Sequence, residues 1–269
     1  MAEREFTPRE LEPWLAIAVA AANDAGAVLL EQFDHLERSA IRSKSSARDL
    51  VTAADLAAER KIVERLRREC PDHAIEAEEE TRDALDRRLR WFVDPLDGTV
   101  NFVHGIPVFS VSIALYDGAT PLVAVVHVPK LGETFTAQRG GGAFVNGKRL
   151  HVSAAESLPE SVLATGFPYR RNELANNNVA NFDALILAIR GIRRMGSAAV
   201  DLAFVAAGRF DGYWELHLSP HDLAAGALLV REAGGVVTDV HGGDDWLRAG
   251  HVVASGPKIA LELRSRLRA

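Results

Sequence analysis

The segment WFVDPLDGT, at residues 91–99, combines acidic side chains with a tight change of chain direction. A short apolar strand would deliver Asp94 at its end, and Pro95 would turn the chain at once. Asp97 follows three residues later, so the turn could bring the two carboxylates together. Adjacent carboxylates repel each other and persist together mainly where a cation neutralises them. Oxygen ligands without His or Cys favour Mg²⁺ over zinc.

The same segment also fits a purely structural role. An Asp-Pro turn followed by a helix-capping Asp97 is common and needs no ligand. Gly98 and Thr99 would then open a short helix, although the backbone N–H groups of a helix start can also bind phosphate. Taken alone, the segment leaves both interpretations open.

The composition is that of a globular protein. The chain has 269 residues, of which 48% are hydrophobic and 25% charged, and this excludes a disordered or collagenous chain. The net charge of −6 argues against non-specific nucleic-acid binding. The single cysteine, Cys70, cannot form an internal disulfide or a cysteine metal site.

The apolar segments do not predict a membrane protein. The start MAEREFTPRE lacks the basic-then-apolar layout of a signal peptide. Asn23–Asp24 and Asp117 interrupt the apolar runs before they reach about 18 residues. We therefore expect a cytoplasmic protein without a membrane or nucleic-acid partner.

The first half predicts helices packed on an antiparallel sheet. The helices cover about 14–33, with Pro13 in the first turn, and 53–69. A strand at 91–94 is ended by Pro95, and hairpins are expected at 108–128 and 142–152. Asn146-Gly147 suits a type I′ turn, and the glycines at 140–142 suit a tight turn.

After about Leu150, short strands alternate with helices, which predicts a mixed sheet with helices on its faces. We expect one region over 1–148 and a second over 149–269. The predicted strands are 161–167, 210–215, 236–239 and 251–255, and the predicted helices are 178–190, 196–208, 221–235 and one near the C-terminus.

The segment DPLDGTVNFVHGIP, at 94–107, resembles the metal signature of the inositol monophosphatase family. Further stretches resemble the family in order and spacing, at 44–55, 196–202, 213–215, 221–226 and 232–235. The resemblance runs from about Leu15 to Ser255. It implies a layered α-β-α-β-α sandwich, which agrees with the antiparallel and mixed sheets predicted above.

The resemblance also implies a set of site residues. Its metal ligands for two to three Mg²⁺ ions would be Glu78, Asp94, the Leu96 carbonyl, Asp97 and Asp222, with Asp94 bridging two ions. Asp55 and Thr99 would orient the attacking water, with Glu78 completing the catalytic group. The substrate would meet Asp97, Gly98, Thr99, Gly196, Ala198, Glu215 and Asp222. Lys44 would lie in a mobile loop that supports a further, weaker metal.

Several of these residues have plainer alternatives. The acidic run 76–80 could be a solvated strand edge, with Ala77 where relatives usually have Gly. Asp222 could simply cap an apolar helix. Glu215 could be a surface carboxylate, and His221 stands where relatives often carry Trp.

The resemblance implies Mg²⁺-dependent, lithium-sensitive hydrolysis of a small polyol phosphate, and inositol 1-phosphate is the first candidate substrate. It also implies that the protein is a homodimer. Fructose 1,6-bisphosphate, histidinol phosphate and 3′-phosphonucleotides remain alternative substrates within the same superfamily. The run Val100-Asn101-Phe102 resembles the inositol type. A non-catalytic binding role on the same fold is the alternative of a different class.

Overall fold

The structure is a computed structural model that describes residues 5–33, 35, 42–43, 50–84 and 87–268. Within these residues the helices are α1 (Pro8–Phe33), α2 (Ala53–Glu69), α3 (Thr99–Val103), α4 (Val179–Ile186), α5 (Ala198–Ala206), α6 (Pro220–Glu232), α7 (Trp246–Ala249) and α8 (Ala260–Ser265). The strands are β1 (Arg42–Ser43), β2 (Leu50–Val51), β3 (Ala74–Ala77), β4 (Leu89–Asp97), β5 (Ser110–Asp117), β6 (Thr120–Val128), β7 (Glu133–Gln138), β8 (Gly142–Val145), β9 (Lys148–Arg149), β10 (Val162–Thr165), β11 (Gly191–Arg193), β12 (Gly212–Glu215), β13 (Val236–Thr238) and β14 (Val252–Ser255).

Two larger sheets carry the fold, and β1 and β2 form a separate short pair. The first sheet has seven strands in the order β3-β4-β5-β6-β7-β8-β9. Its neighbours are antiparallel, as predicted, except for the edge pair of β3 and β4, which is parallel. The second sheet is mixed, with the order β11-β10-β12-β14-β13. There β10 runs parallel to both β11 and β12.

Side chains alternate between the two faces of each strand, and this builds the layers. In β4, Trp91 and Val93 pack with α1 and α2, whereas Phe92 packs with α5 and α6. Leu185 of α4 and Leu263 of α8 pack on the outer face of the second sheet. The result is the predicted α-β-α-β-α sandwich, with α5 and α6 between the sheets.

Helix α1 begins earlier than predicted. The backbone N–H of Thr7 donates to the Glu10 carboxylate at 2.9 Å, and Pro8 takes the first helical position. Pro13 therefore lies inside the helix rather than in its first turn, which corrects the prediction. Pro13 is exposed, so water can reach the neighbouring backbone.

By length and composition, α1 is able to cross a membrane, although Asn23 and Asp24 were expected to prevent such a span. Length and composition alone are weak evidence for a membrane span, because the core helix of a soluble protein has the same properties. Here the buried face of α1 packs on α2 and on the first sheet. Asp24 lies on the exposed side and accepts a hydrogen bond from Arg65 of α2 at 2.6 Å.

Pro95 does not end its strand, which corrects a second prediction. Strand β4 continues to Asp97, and one extra residue relative to β5 forms a bulge between Asp94 and Asp97. A bulge accommodates proline because the ladder is interrupted there and needs no N–H. The turn predicted at Asn146-Gly147 is confirmed, since both residues have positive φ angles, of 47° and 78°.

Candidate metal centre and active site

Three buried or half-buried carboxylates converge where the two halves of the chain meet. Asp94 and Asp97 come from the end of β4, and Asp222 comes from the first turn of α6. One side-chain oxygen of each lies within 4.8 Å of the others. Glu78, which follows β3, makes a side-chain hydrogen bond with Asp94. The structure thus brings together the four carboxylates predicted as metal ligands.

The bulge in β4 sets the geometry of the first two ligands. The Leu96 backbone N–H donates to Asp94 Oδ1 at 2.9 Å, which fixes that carboxylate on the turn. The bulge then directs Asp97 toward the start of α5. A regular strand would instead place residues three apart on opposite faces.

Asp97 lies at the N-terminus of α5, although the sequence suggested that it would cap its own helix. It accepts hydrogen bonds from Ser197 Oγ at 2.6 Å and from the Ala199 N–H at 2.7 Å. A longer bond of 3.3 Å comes from the Ala198 N–H. An anion is stabilised at such a helix end. These bonds join the first half of the site to the second.

Asp222 is the third residue of α6 and is both a cap and a site residue. Its Oδ2 accepts from the Ser219 N–H at 2.7 Å and from the Ser219 hydroxyl at 2.9 Å, which forms a capping box. The simple capping alternative is therefore correct but incomplete, because Asp222 also belongs to the acidic cluster.

The acidic run after β3 is not a continuous strand edge. The strand ends at Ala77, and the Glu78 N–H donates to the Val93 carbonyl at 3.0 Å. Ala77 lies within β3 and is not among the positive-φ residues, so the absent glycine causes no backbone strain. Glu59 of α2 fixes the next loop by accepting three backbone N–H groups at 2.8–2.9 Å, from Glu79, Glu80 and Thr81.

The electrostatics of the cluster call for a cation. Burial, together with the charges of Glu78, Asp97 and Asp222, raises the pKa of Asp94 well above its ordinary value. Burial raises the pKa of Asp97 to about 6 and that of Asp222 to about 7. Hydrogen bonds from Ser197 and Ser219 only partly oppose these shifts. The donor set consists of hard oxygens, which fits a Mg²⁺-type ion.

Thr99 and Asp55 meet beside the carboxylate cluster. The Thr99 hydroxyl lies 3.1 Å from Asp55 Oδ1 and 3.1 Å from the Leu96 carbonyl oxygen, so either can accept its proton. Asp55 is the third residue of α2, and its Oδ2 accepts from the Thr52 N–H at 2.8 Å and the Thr52 hydroxyl at 2.6 Å. All three side chains are at most 7% exposed.

Five of the seven predicted substrate residues line one cavity, and two of these five, Asp97 and Asp222, are also predicted metal ligands. Gly98 and Thr99 are not among the residues that line it. The cavity has a volume of about 560 Å³ when the solvent at its open mouth is included. Gly98 closes against Gly196, because a Cβ on Gly98 would lie 3.2 Å from the Gly196 carbonyl oxygen. The predicted residues on its wall are Asp97, Gly196, Ala198, Glu215 and Asp222.

Glu215 is fixed against the cavity wall and is not a surface carboxylate. It is 8% exposed, and Tyr213 Oη donates to its Oε2 at 2.6 Å. A Cβ on Gly166 would lie 2.0 Å from the same oxygen, so only glycine leaves room for the carboxylate. Burial raises the pKa of Glu215 to about 7. His221, one residue before Asp222, is also buried and bonds to Ser219.

Sequence reasoning missed several residues of this site. Outside the recognised motifs it missed Glu59, Gly166 and Arg194. Asp201 lies within a recognised motif but carried no separate signal there. Asp201 lines the cavity, and burial with the charges of Glu215 and Asp97 raises its pKa well above the ordinary value. Lys44 lies outside the described residues.

The fold and the acidic cluster define a layered α/β protein with a group of carboxylates that could hold a metal ion. The chain belongs to the inositol monophosphatase family, whose family model matches residues 10–268. This membership confirms the predicted resemblance and supports a phosphatase as the general class.

Individual relatives carry two kinds of name. Over 258 residues the chain is 46% identical to Nus factor SuhB of Pseudomonas aeruginosa, a match that covers 92% of this chain and 93% of that protein. Over 265 residues it is 44% identical to inositol-1-monophosphatase of Synechocystis, with coverages of 98% and 92%. The solved structure of inositol monophosphatase from Anabaena (Nostoc) matches with a TM-score of 0.87 at 40% identity and 95% coverage of each chain.

Proposed function

We propose that this protein hydrolyses the phosphate monoester of a small polyol in the presence of Mg²⁺, with inositol 1-phosphate as the first candidate substrate. The observation that supports this proposal most directly is that the buried carboxylate cluster and the Thr99–Asp55 pair lie beside a cavity that is also lined by Glu215. Family membership and the Synechocystis relative support the same assignment.

Glu78, Asp94, Asp97 and Asp222 would hold the metal, with the Leu96 carbonyl as a further oxygen ligand. Mg²⁺ held there would lower the pKa of an attacking water and would neutralise the charge on the leaving alkoxide. Asp94 interacts with the charges of Glu78, Asp97 and Asp222, so its ionised form needs this compensation. The two to three ions expected from the family are part of this proposal.

Thr99 orients the nucleophile in this account. When its hydroxyl donates to Asp55 Oδ1, a lone pair of Thr99 Oγ1 is left to accept a hydrogen bond from a water. That water attacks phosphorus, and its proton passes to Thr99 Oγ1 as the Thr99 proton passes to Asp55. The phosphorus–oxygen bond to the polyol breaks, and the leaving alkoxide takes a proton from solvent. The N–H groups of Gly98 and Thr99 would hold the phosphate, while Gly196, Ala198 and Glu215 meet the hydroxyl side. No covalent phosphoenzyme is required.

A panel of phosphate-release assays tests the proposal, with and without Mg²⁺. The substrates are inositol 1-phosphate, histidinol phosphate, fructose 1,6-bisphosphate and a 3′-phosphonucleotide. We expect release to require Mg²⁺, to be inhibited by Li⁺ and to be fastest with inositol 1-phosphate. Faster turnover of another substrate would reassign the substrate, whereas no release from any of them would contradict the enzymatic function.

A second role as a Nus factor is favoured by the name of the 46%-identical Pseudomonas relative. Such a role requires a binding surface but no turnover. The Asp94→Asn variant separates the two roles in a bacterium that lacks its own Nus factor SuhB. If this variant complements the loss of that bacterium's SuhB, the second role is independent of catalysis. If neither the variant nor the wild-type protein complements the loss, the second role is contradicted.

Two further expectations accompany the proposal. We expect the protein to act in the cytoplasm, and to form a homodimer as family members are expected to do. Light scattering of the purified protein should then give about twice 29.2 kDa. A monomer at micromolar concentration would remove the dimer without affecting the chemistry.

A further inference from the structure

One part of the cavity wall carries a positive side chain that the proposed function does not use. Arg194, which directly follows β11, lines the cavity together with Glu215 and Asp201. Its side chain is exposed at the mouth, whereas Glu215 is buried. The wall therefore presents a guanidinium and a carboxylate to the same space.

Two glycines leave the room that these side chains occupy. A Cβ on Gly196 would lie 2.6 Å from Arg194 Nη1, and a Cβ on Gly166 would lie 2.0 Å from Glu215 Oε2. Tyr213 holds Glu215 on its side with a 2.6 Å hydrogen bond. The backbone of this region is thus shaped around both charged groups.

The two groups share the cavity without forming an ion pair. Arg194 and Glu215 are both described, and no contact within 4.0 Å joins the guanidinium to this carboxylate. They are nevertheless close enough to interact electrostatically. Burial raises the pKa of Glu215, whereas the Tyr213 hydrogen bond and the Arg194 charge lower it. A gap between opposite charges is a place for a group that can bond to both.

A hydroxyl group has this property, because it both donates and accepts hydrogen bonds. A guanidinium only donates, and an ionised carboxylate only accepts. We infer that Arg194 and Glu215 together bind two neighbouring hydroxyl groups of the substrate, so that the site selects a vicinal diol. This inference rests on the proposed function and makes Arg194 a specificity-determining residue.

The charges around the cavity favour a neutral diol over a second anionic group. The cavity that Arg194 lines also has four acidic residues in its lining, which are Asp97, Asp201, Glu215 and Asp222. A second phosphate placed beside Arg194 would also lie beside Glu215 and Asp201, and like charges repel. A diol meets no such repulsion and can satisfy donor and acceptor at once.

The adjacent Arg193 provides a matched control. It has the same side chain and is also exposed, but it belongs to edge strand β11 and does not line the cavity. Its Nη1 donates to the Ile192 carbonyl at 2.9 Å. The variants Arg194→Met and Arg193→Met therefore remove the same charge from neighbouring positions, and only one of them changes the cavity.

The experiment measures kcat/KM of wild type and both variants for three substrates: inositol 1-phosphate, 4-nitrophenyl phosphate and fructose 1,6-bisphosphate. In Arg194→Met we expect the ratio of inositol phosphate to aryl phosphate activity to fall roughly ten- to a hundredfold, as for the loss of a charged hydrogen bond. In Arg193→Met the ratio should stay at the wild-type value. Arg194→Lys should restore only part of it, because lysine lacks the planar fork of donors.

Three results would overturn the inference. An unchanged ratio in Arg194→Met would show that the guanidinium does not bind hydroxyls. An equal loss with all substrates would place Arg194 in the chemistry or the fold. A larger loss with fructose 1,6-bisphosphate than with inositol 1-phosphate would assign Arg194 to a second phosphate.

Failure of the proposed function gives a different pattern, because wild type would then release phosphate from none of the substrates. In that case calorimetric binding of inositol 1-phosphate decides the matter without turnover. Weaker binding by Arg194→Met than by Arg193→Met would still support the diol site. Equal binding by the two variants would overturn it.

Discussion

Helices α2 and α6 begin with the same local motif and serve the site differently. Thr52 and Asp55 form a capping box at α2, and Ser219 and Asp222 form one at α6. In each, one carboxylate oxygen accepts two hydrogen bonds from the cap residue. Opposite Asp55 the fold places the Thr99 hydroxyl, and around Asp222 it places other carboxylates.

The difference shows that the local motif fixes only one of the two carboxylate oxygens of each aspartate. The cap holds one oxygen and orients the side chain, and the tertiary fold decides what the rest of the carboxylate meets. Next to a hydroxyl, Asp55 can act as an acceptor that orients Thr99. Next to other acids, Asp222 needs a cation. If this comparison is correct, equivalent substitutions at the two helix starts have different consequences.

The largest effect is expected for Asp222→Asn. Asparagine can still accept the Ser219 hydrogen bonds, so the cap is kept while the charge is lost. Because outer-shell partners of metal ligands already contribute 10–100-fold, loss of a ligand should lower kcat/KM more than about a hundredfold. Assays with inositol 1-phosphate and 4-nitrophenyl phosphate at several Mg²⁺ concentrations measure this. A loss confined to the polyol would refute the metal role.

The next largest effect is expected for Thr99, the partner of Asp55 in α2. Thr99→Ala should lower kcat by about a hundredfold and leave KM almost unchanged, since orientation of the water matters mainly in the transition state. Thr99→Ser keeps the hydroxyl and should retain most of the activity. Steady-state kinetics with saturating Mg²⁺ provide the measurement. A sharp rise in KM at constant kcat would make Thr99 a binding residue instead.

A smaller, substrate-dependent effect is expected on the cavity wall. Glu215→Gln and Gly166→Ala should each reduce inositol phosphate hydrolysis roughly ten- to a hundredfold relative to aryl phosphate, because both disturb a charged acceptor bond to a hydroxyl. Gly191→Ala is the matched glycine control, since its Cβ would meet only Arg193 Nη1, at 3.5 Å. Equal losses on both substrates would assign Glu215 to the metal site or the fold.

The smallest effect concerns the stability of the metal-free protein. The pKa values of Asp97 and Asp222 are raised from 3.8 to about 6 and about 7, first of all by burial. The folded state then holds protons that the unfolded chain releases. Their contribution to stability is complete below pH 3.8 and is lost as the pH rises through 6 to 7.

We therefore expect the Tm of chelator-treated protein to fall by several degrees between about pH 5 and about pH 8. Added Mg²⁺ should raise Tm most at the upper end of this range. Asp94→Asn should reduce the fall, because it removes one buried charge. Calorimetric melting at a series of pH values measures it. A metal-free Tm that rises over this range would contradict the electrostatic account of the cluster.

Features set by nearby residues could be predicted from the sequence. The Asn146-Gly147 turn and the start of α6 each depend on a few neighbouring positions. The alternation of strands and helices predicted an antiparallel and a mixed sheet, and the family resemblance supplied their layered arrangement. Family spacing, rather than local pattern, singled out Glu78 and Glu215.

Features set by distant contacts could not be predicted in this way. Glu59 looks like any solvent-facing helix residue until the 79–81 loop is placed over it. Gly166 needs to be glycine only because Glu215, 49 residues later, occupies the space of its side chain. The parallel pairing of β3 with β4 and the continuation of β4 through Pro95 also arise from the assembled sheet.

The central claim is that the carboxylate cluster is a metal site, and Mg²⁺ binding tests it without any assay of activity. Isothermal titration of chelator-treated wild type should show saturable Mg²⁺ binding. Asp94→Asn should lose most of that binding while circular dichroism shows an intact fold. Equal Mg²⁺ affinity in a folded Asp94→Asn variant would contradict the account.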